Sequence, residues 1–355
     1  MKKRILAVVF CCAMIMSLLA GCGSGSSGSA TGSASASGSA AATNGKTINL
    51  NMNTTTSDTS VWQVAAKKFK EEVESGTDGR YTISIYPNEQ LASGDMVKGT
   101  EMVLNGSIDV DLRSSVNFTA VEPKLFAICM PWIFSGYDDV DQKIFNGGAA
   151  GELVKQLIDA KGVQVLALGE NGFRQLTNNK HVVQTPADMK GLKLRSASIA
   201  AMMDTLKALG ADPSPMSFSE VFTALQQGTI DGQENPTDPI RSAKLYEVQK
   251  YMTKWDYSYD CLVLSVSSKV WSSLSDADKA VFQKAAEDGC AAEVEEIRKQ
   301  EQENLDFFKQ QGMEITTLTS EQTDAFKALI GSVYDSYRKS VTDDVFKTFG
   351  YTFAS

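Results

Sequence analysis

Strand-like runs and helical-period segments take turns along the chain from Thr47 onward, and this alternation restricts the fold more than any other feature. Thr47 to Met52 reads as a strand. Trp62, Ala65, Ala66, Phe69 and Val73 then put one apolar face on a helix from about Asp58 to Glu74. Tyr81-Thr82-Ile83-Ser84-Ile85-Tyr86 alternates with period two, as a half-buried strand does. A helix from about Gly94 to Leu104 is ended by Asn105-Gly106, and Ile108 to Leu112, Gly162 to Leu168 and Leu192 to Ser196 return as strands. Ser198 to Leu209 is helical by pattern, and so is nearly all of Ser275 to Gln311, with Asp288-Gly289 the expected break. The class is therefore α/β. The patterned part runs to about 310 residues, more than one hydrophobic core usually serves, so two lobes are expected. Composition leaves the strand order open.

Ahead of this body stands a leader. Lys2, Lys3 and Arg4 precede an apolar run from Ile5 to Ala20, and Leu19-Ala20-Gly21-Cys22 closes it with small residues before a cysteine. The run is shorter than the roughly 20 residues that span a bilayer, so a cleaved secretory signal is expected. The closing tetrapeptide resembles a bacterial lipobox, which implies a lipid on Cys22 and a chain held at the outer face of the cell membrane. Gly23 to about Thr43 is almost entirely Gly, Ser, Ala and Thr, a flexible tether whose span is on the order of 25 Å. Nothing after Ala20 is long and apolar enough to cross a membrane.

The formal charge of −9 becomes −12 once the three basic residues of the leader are set aside. Such a body is a poor partner for nucleic acid, and it can hold an anion only at a local positive site. Cys129, Cys261 and Cys290 are the cysteines beyond Cys22, with no metal-like spacing; they read as buried thiols, with room for one disulfide among them.

The most specific stretch runs from Pro215 to Pro236. Ser217 and Glu220 have capping-box spacing, Val221, Ala224 and Leu225 form an apolar stripe, and Gly228 supplies a left-handed exit. Asp231-Gly232-Gln233-Glu234-Asn235-Pro236 then reads as a polar turn suited to hydrogen bonding with a solute. Arginine is scarce, eight against twenty-six lysines, so its placement is informative. Arg113 ends the strand that starts at Ile108, Arg174 follows Asn171-Gly172-Phe173, and Arg195 ends Gly191-Leu192-Lys193-Leu194-Arg195. Carboxyl ends of strands border the ligand crevice of open α/β sheets, and a guanidinium grips a carboxylate through two parallel hydrogen bonds. The competing reading makes each arginine half of an ion pair, with Asp111 or Asp95 available to Arg113. Trp62 reads as helix core, Trp132 and Trp255 as lobe packing or cleft lining, and His181 as an exposed turn residue.

Five ordered blocks carry a resemblance to the solute-binding proteins of TRAP transporters, the DctP family. They are Tyr86-Pro87-Asn88-Glu89-Gln90-Leu91, Pro131-Trp132-Ile133-Phe134, the block from Pro186 to Arg195, the segment from Ser217 to Pro236, and Lys244-Leu245-Tyr246-Glu247-Val248-Gln249-Lys250-Tyr251. The resemblance covers nearly everything from Thr47 on. It implies a two-lobe periplasmic-binding-protein-like fold with a central ligand cleft, hinge strands and a long lobe-spanning helix. The expected division is a signal peptide over 1–21, lipidated Cys22 and tether over 22–45, one lobe from 46–171 with about 261–300, and a second from 172–260 with about 301–355.

The same resemblance implies that Arg195 makes the main salt bridge to a ligand carboxylate and that Arg174 assists. Phe218 and Asn235 would contact the solute, Asn53 would reach it from the other lobe, and Arg113 would suit a second acidic group. Sialic-acid-binding members carry a glutamate near the position of Ser114, so sialic acid is not favoured; a sugar acid or a C4-dicarboxylate is. The implied protein is a monomeric receptor that hydrolyses nothing, needs no cofactor or metal, and hands its ligand to a small and a large membrane subunit for ion-coupled uptake. Service to an ABC-type permease or a sensor kinase is the alternative. A surface-anchored hydrolase is disfavoured, because His181 is the only histidine and no G-x-S-x-G elbow occurs, although two carboxylates of a glycosidase would go unseen in so acidic a chain.

Overall fold

The computed structural model describes residues 47–354; the leader, the tether and Cys22 lie outside the described residues. Among the described residues, eleven strands make two sheets. The first has the order β2-β1-β3-β10-β4, from Tyr81–Tyr86 (β2), Ile48–Thr54 (β1), Val110–Ser114 (β3), Tyr259–Ser267 (β10) and Val163–Phe173 (β4). The second has the order β11-β9-β5-β8-β6-β7, from Glu314–Thr317 (β11), Tyr251–Lys254 (β9), Gln175–Asn178 (β5), Gly232–Asn235 (β8), Lys193–Ser196 (β6) and Asp212–Pro215 (β7). β1 runs parallel to β2 and β3, β6 to β7 and β8, and β11 to β9, while β10 is antiparallel to its neighbours β3 and β4, and β5 to its neighbours β8 and β9.

The chain passes between the sheets at two adjacent places. β4 leads through Arg174 into β5, and β9 leads through residues 255–258 into β10; the backbone N–H of Arg174 donates to the carbonyl of Ser258 at 2.9 Å, tying the crossings together. A single helix, Asp276–Gln310, serves both lobes. Its Phe282, Ala285, Ala286 and Cys290 pack with Leu50, Phe69 and Leu264 of the first sheet's core, while Leu305 and Phe308 pack with Ile240 and Met252 of the second. No break occurs at Asp288-Gly289. Gly289 is needed for another reason: a Cβ there would sit 2.9 Å from the carbonyl oxygen of Ala65, so the long helix and the helix Trp62–Gly76 approach closely at this point.

The polar run from Gly232 to Asn235 is not a turn. It is β8, buried between β5 and β6. Polar residues are depleted in strands, which is why the run reads as a turn, but here each side chain has a partner. Gln233 donates to Thr177 Oγ1 at 2.9 Å, and the Glu234 carboxylate accepts from Arg174 and from the Tyr257 hydroxyl at 2.8 Å. A Cβ at Gly232 would lie 2.1 Å from the Thr177 carbonyl oxygen, so the glycine there marks close backbone approach. Cys129, Cys261 and Cys290 are buried free thiols.

Candidate ligand cleft

Both sheets send the carboxyl ends of strands to one small cavity between them. β1 delivers Thr55 and Thr56, β3 delivers Ser114, Val116 and Asn117, β6 delivers Arg195 and Ala197, and β8 delivers Asn235. The crossing strands add Asn171, Arg174 and Asp260. Trp62, Phe218 and Pro239 supply apolar surface.

Three arginines are buried in this region, in three electrostatic conditions. Arg174 is neutralised: its guanidinium pairs with Glu234, donates to Asn235 Oδ1 at 3.1 Å, and lies 3.5 Å from Asp260. Burial works against its charge, but the carboxylate of Glu234, with Tyr257 and Asp260 behind it, holds its pKa above the ordinary value. Arg113 is neutralised as well. Asp111 accepts from it through both carboxylate oxygens, one at 2.8 Å, Glu89 stands 3.3 Å away, and Thr100 Oγ1 accepts at 2.8 Å.

Arg195 is different. It is 2% exposed, its Nε donates to the carbonyl of Met216 at 3.0 Å, and one terminal nitrogen is buried without any partner. Among the described residues no carboxylate forms an ion pair with it. Burial pushes its pKa down to about 10, against the through-space pull of Glu234 and Glu220. It stays protonated at neutral pH. The Phe218 ring stands 5.7 Å from its guanidinium carbon, within cation–π range, and so holds the group from one side.

Of the residues expected at the site, the structure thus brings Arg195, Arg174, Phe218 and Asn235 to one cavity. Asn53 and Arg113 are not among its lining residues. Asn53 Nδ2 donates to Glu89 and, at 3.1 Å, to Asp111, so both residues belong to a buried charge cluster behind the wall. Sequence reasoning passed over Thr56, Trp62, Asn171 and Asp260. Thr56 Oγ1, Trp62 Nε1 and Asn171 Oδ1 are, like the Arg195 nitrogen, buried polar atoms without a partner. Trp62 is packed as helix core on its apolar faces, as its spacing indicates, yet it also lines the cavity.

Comparison with known proteins agrees with this geometry. Residues 52–340 match the family model DctP, described as bacterial extracellular solute-binding protein, family 7. The chain is 31% identical to the 2,3-diketo-L-gulonate-binding periplasmic protein YiaO of Escherichia coli, over 81% of this chain and 86% of that one. It is 29% identical to the C4-dicarboxylate-binding periplasmic protein DctP of Vibrio cholerae, over 82% and 86%. A TRAP periplasmic solute-binding protein from Polaromonas, crystallised with D-erythronate, superposes with a TM-score of 0.81 at 32% identity, covering 87% of this chain and all of that one. The alternating strands, the two crossings and the cavity between the sheets are therefore those of a known architecture, and the chain belongs to the DctP family of bacterial extracellular solute-binding proteins.

Proposed function

We propose that this chain is the extracytoplasmic receptor of a TRAP-type transporter and that it holds a small organic acid by a salt bridge from Arg195. The observation that carries the reading is a buried guanidinium without an ion-pair partner on the wall of an interlobe cavity. An isolated buried charge is costly, and it is retained where a ligand of opposite sign completes the pair. Charge-assisted hydrogen bonds contribute roughly 1.5 to 3 kcal/mol each, so a bidentate grip with a few neutral contacts reaches the roughly −8 kcal/mol of micromolar binding. Arg174, already neutralised, contributes hydrogen-bond donors and position more than net charge. Relatives described as binding a diketogulonate, a C4-dicarboxylate and D-erythronate make organic acids the class to test.

Closure of the lobes over the acid would present it to a small and a large membrane subunit, which import it unchanged, and lipid on Cys22 would keep the receptor at the membrane. Isothermal calorimetry tests the clamp. Arg195→Lys should weaken binding of any carboxylate that raises the melting temperature by at least about tenfold, because an ammonium cannot reproduce the bidentate geometry. Unchanged affinity would show that the carboxylate is held elsewhere.

A further inference from the structure

We infer that the ligand is a hydroxylated monocarboxylate and that the site discriminates against dicarboxylates. This rests on the reading of Arg195 just given. The cavity offers one uncompensated cation. Arg174 is already paired with Glu234 and lies close to Asp260, so only Arg195 waits for an anion and one ligand carboxylate matches it. A second carboxylate would sit in a lining that already holds Asp260 and offers no other lysine or arginine.

The unpartnered neutral atoms say what the rest of the ligand carries. Trp62 Nε1 can only donate, Thr56 Oγ1 can donate and accept, and Asn171 Oδ1 can only accept. The Asn171 assignment is fixed by its neighbour, since the amide nitrogen must face the Asp260 carboxylate, to which it donates at 2.8 Å. Water satisfies such atoms in an open cleft, and a solute that displaces it without replacing the hydrogen bonds loses affinity. An alkyl acid would leave all three unpaired. A carboxylate could accept from Trp62 and Thr56, but it has no proton for Asn171 Oδ1. Of alkyl, carboxylate and hydroxyl groups, the hydroxyl, which both donates and accepts, is the one that satisfies the whole set.

A C4 series separates the terms in the full-length protein: butyrate, succinate, D-erythronate and the neutral erythritol, with hexanoate, adipate, D-gluconate and sorbitol as the C6 set. At one chain length or the other, the hydroxy acid should bind at least about tenfold more tightly than the dicarboxylate and the plain acid, and the polyol should not bind. Thr56→Val and Trp62→Phe should each weaken the hydroxy acid by roughly two- to tenfold, the range of one neutral hydrogen bond, and weaken it by a larger factor than they weaken the plain acid. If Trp62→Phe does not fold, Thr56→Val carries the test alone. A dicarboxylate that equals or exceeds the hydroxy acid, a plain acid that matches it, or no binding by any hydroxy acid overturns the inference while leaving the Arg195 clamp to its own test. Equal binding of polyol and hydroxy acid overturns the clamp itself.

Discussion

Three arginines with near-identical burial have opposite consequences for stability, because burial is not what distinguishes them. Arg113 has Asp111 and Glu89 against it, so its removal would strand two buried carboxylates. Arg195 has no carboxylate to strand when it is lost; only the Met216 carbonyl loses a donor. Breaking a buried pair from one side costs about 3–5 kcal/mol, whereas replacing an unpaired buried charge with a well-packed apolar group is neutral or stabilising. Arg113→Met should therefore lower the unfolding free energy of the ligand-free protein by about 3–5 kcal/mol. Arg195→Met should leave it unchanged or higher while abolishing acid binding. Urea denaturation of both variants decides this, and a large loss in Arg195→Met would mean that its charge is compensated after all. Part of the pattern was readable beforehand: residues 111 and 113 stand two apart on a strand and share a face, so Asp111 was a visible partner for Arg113. Glu89 was not, because only tertiary structure brings it there. The unpaired state of Arg195, Trp62 and Asn171 is a property of what surrounds them, and no local spacing encodes it.

At the scale of elements, the strands and helices with strong periodicity were legible, and the failures have physical causes. Tyr81–Tyr86 lies where its alternation puts it, and the capping box of Ser217 and Glu220 is formed. β8 was hidden because its polar side chains are satisfied by residues far away in sequence, Thr177, Arg174 and Tyr257. The expected break at Gly289 rested on helix propensity, whereas the glycine answers to packing against Ala65. This distinction can be measured. In an exposed helix, Gly to Ala gains up to about 1 kcal/mol. Here Gly289→Ala should destabilise by roughly 1–3 kcal/mol, as overpacking does, since a backbone carbonyl and not a flexible side chain stands in the way. Chemical denaturation showing a stabilised variant would mean the two helices separate without cost.

For the molecule as a whole, the question is what holds the lobes shut over the cavity. The helix Trp62–Gly76 belongs to the first lobe and carries a cavity residue at its first position, yet its own N-cap residue, Val61, offers no side-chain cap. Ser60 Oγ accepts from the Trp62 N–H at 3.2 Å, and the other lobe braces this cap. Asp238, in the helix Thr237–Ser242 that follows β8, accepts from the backbone N–H of Val61 at 3.0 Å and from Ser60 Oγ at 2.6 Å. Ser219 Oγ adds a second interlobe bond, to the Gly94 carbonyl at 3.1 Å. Rotation about the crossings at Arg174 and residues 255–258 would break both, so opening the lobes would take the Asp238 contact away from the start of the helix that carries Trp62. A helix cap is worth about 0.5–2 kcal/mol, and apparent affinity scales with the fraction of molecules that are closed. Asp238→Ala should then weaken every ligand by the same factor, roughly three- to tenfold, without altering their order of preference, because Asp238 is not itself in the cavity lining. Small-angle scattering should show a larger radius of gyration for the variant at subsaturating ligand. A change in ligand preference without a change in radius would place Asp238 in recognition and not in closure.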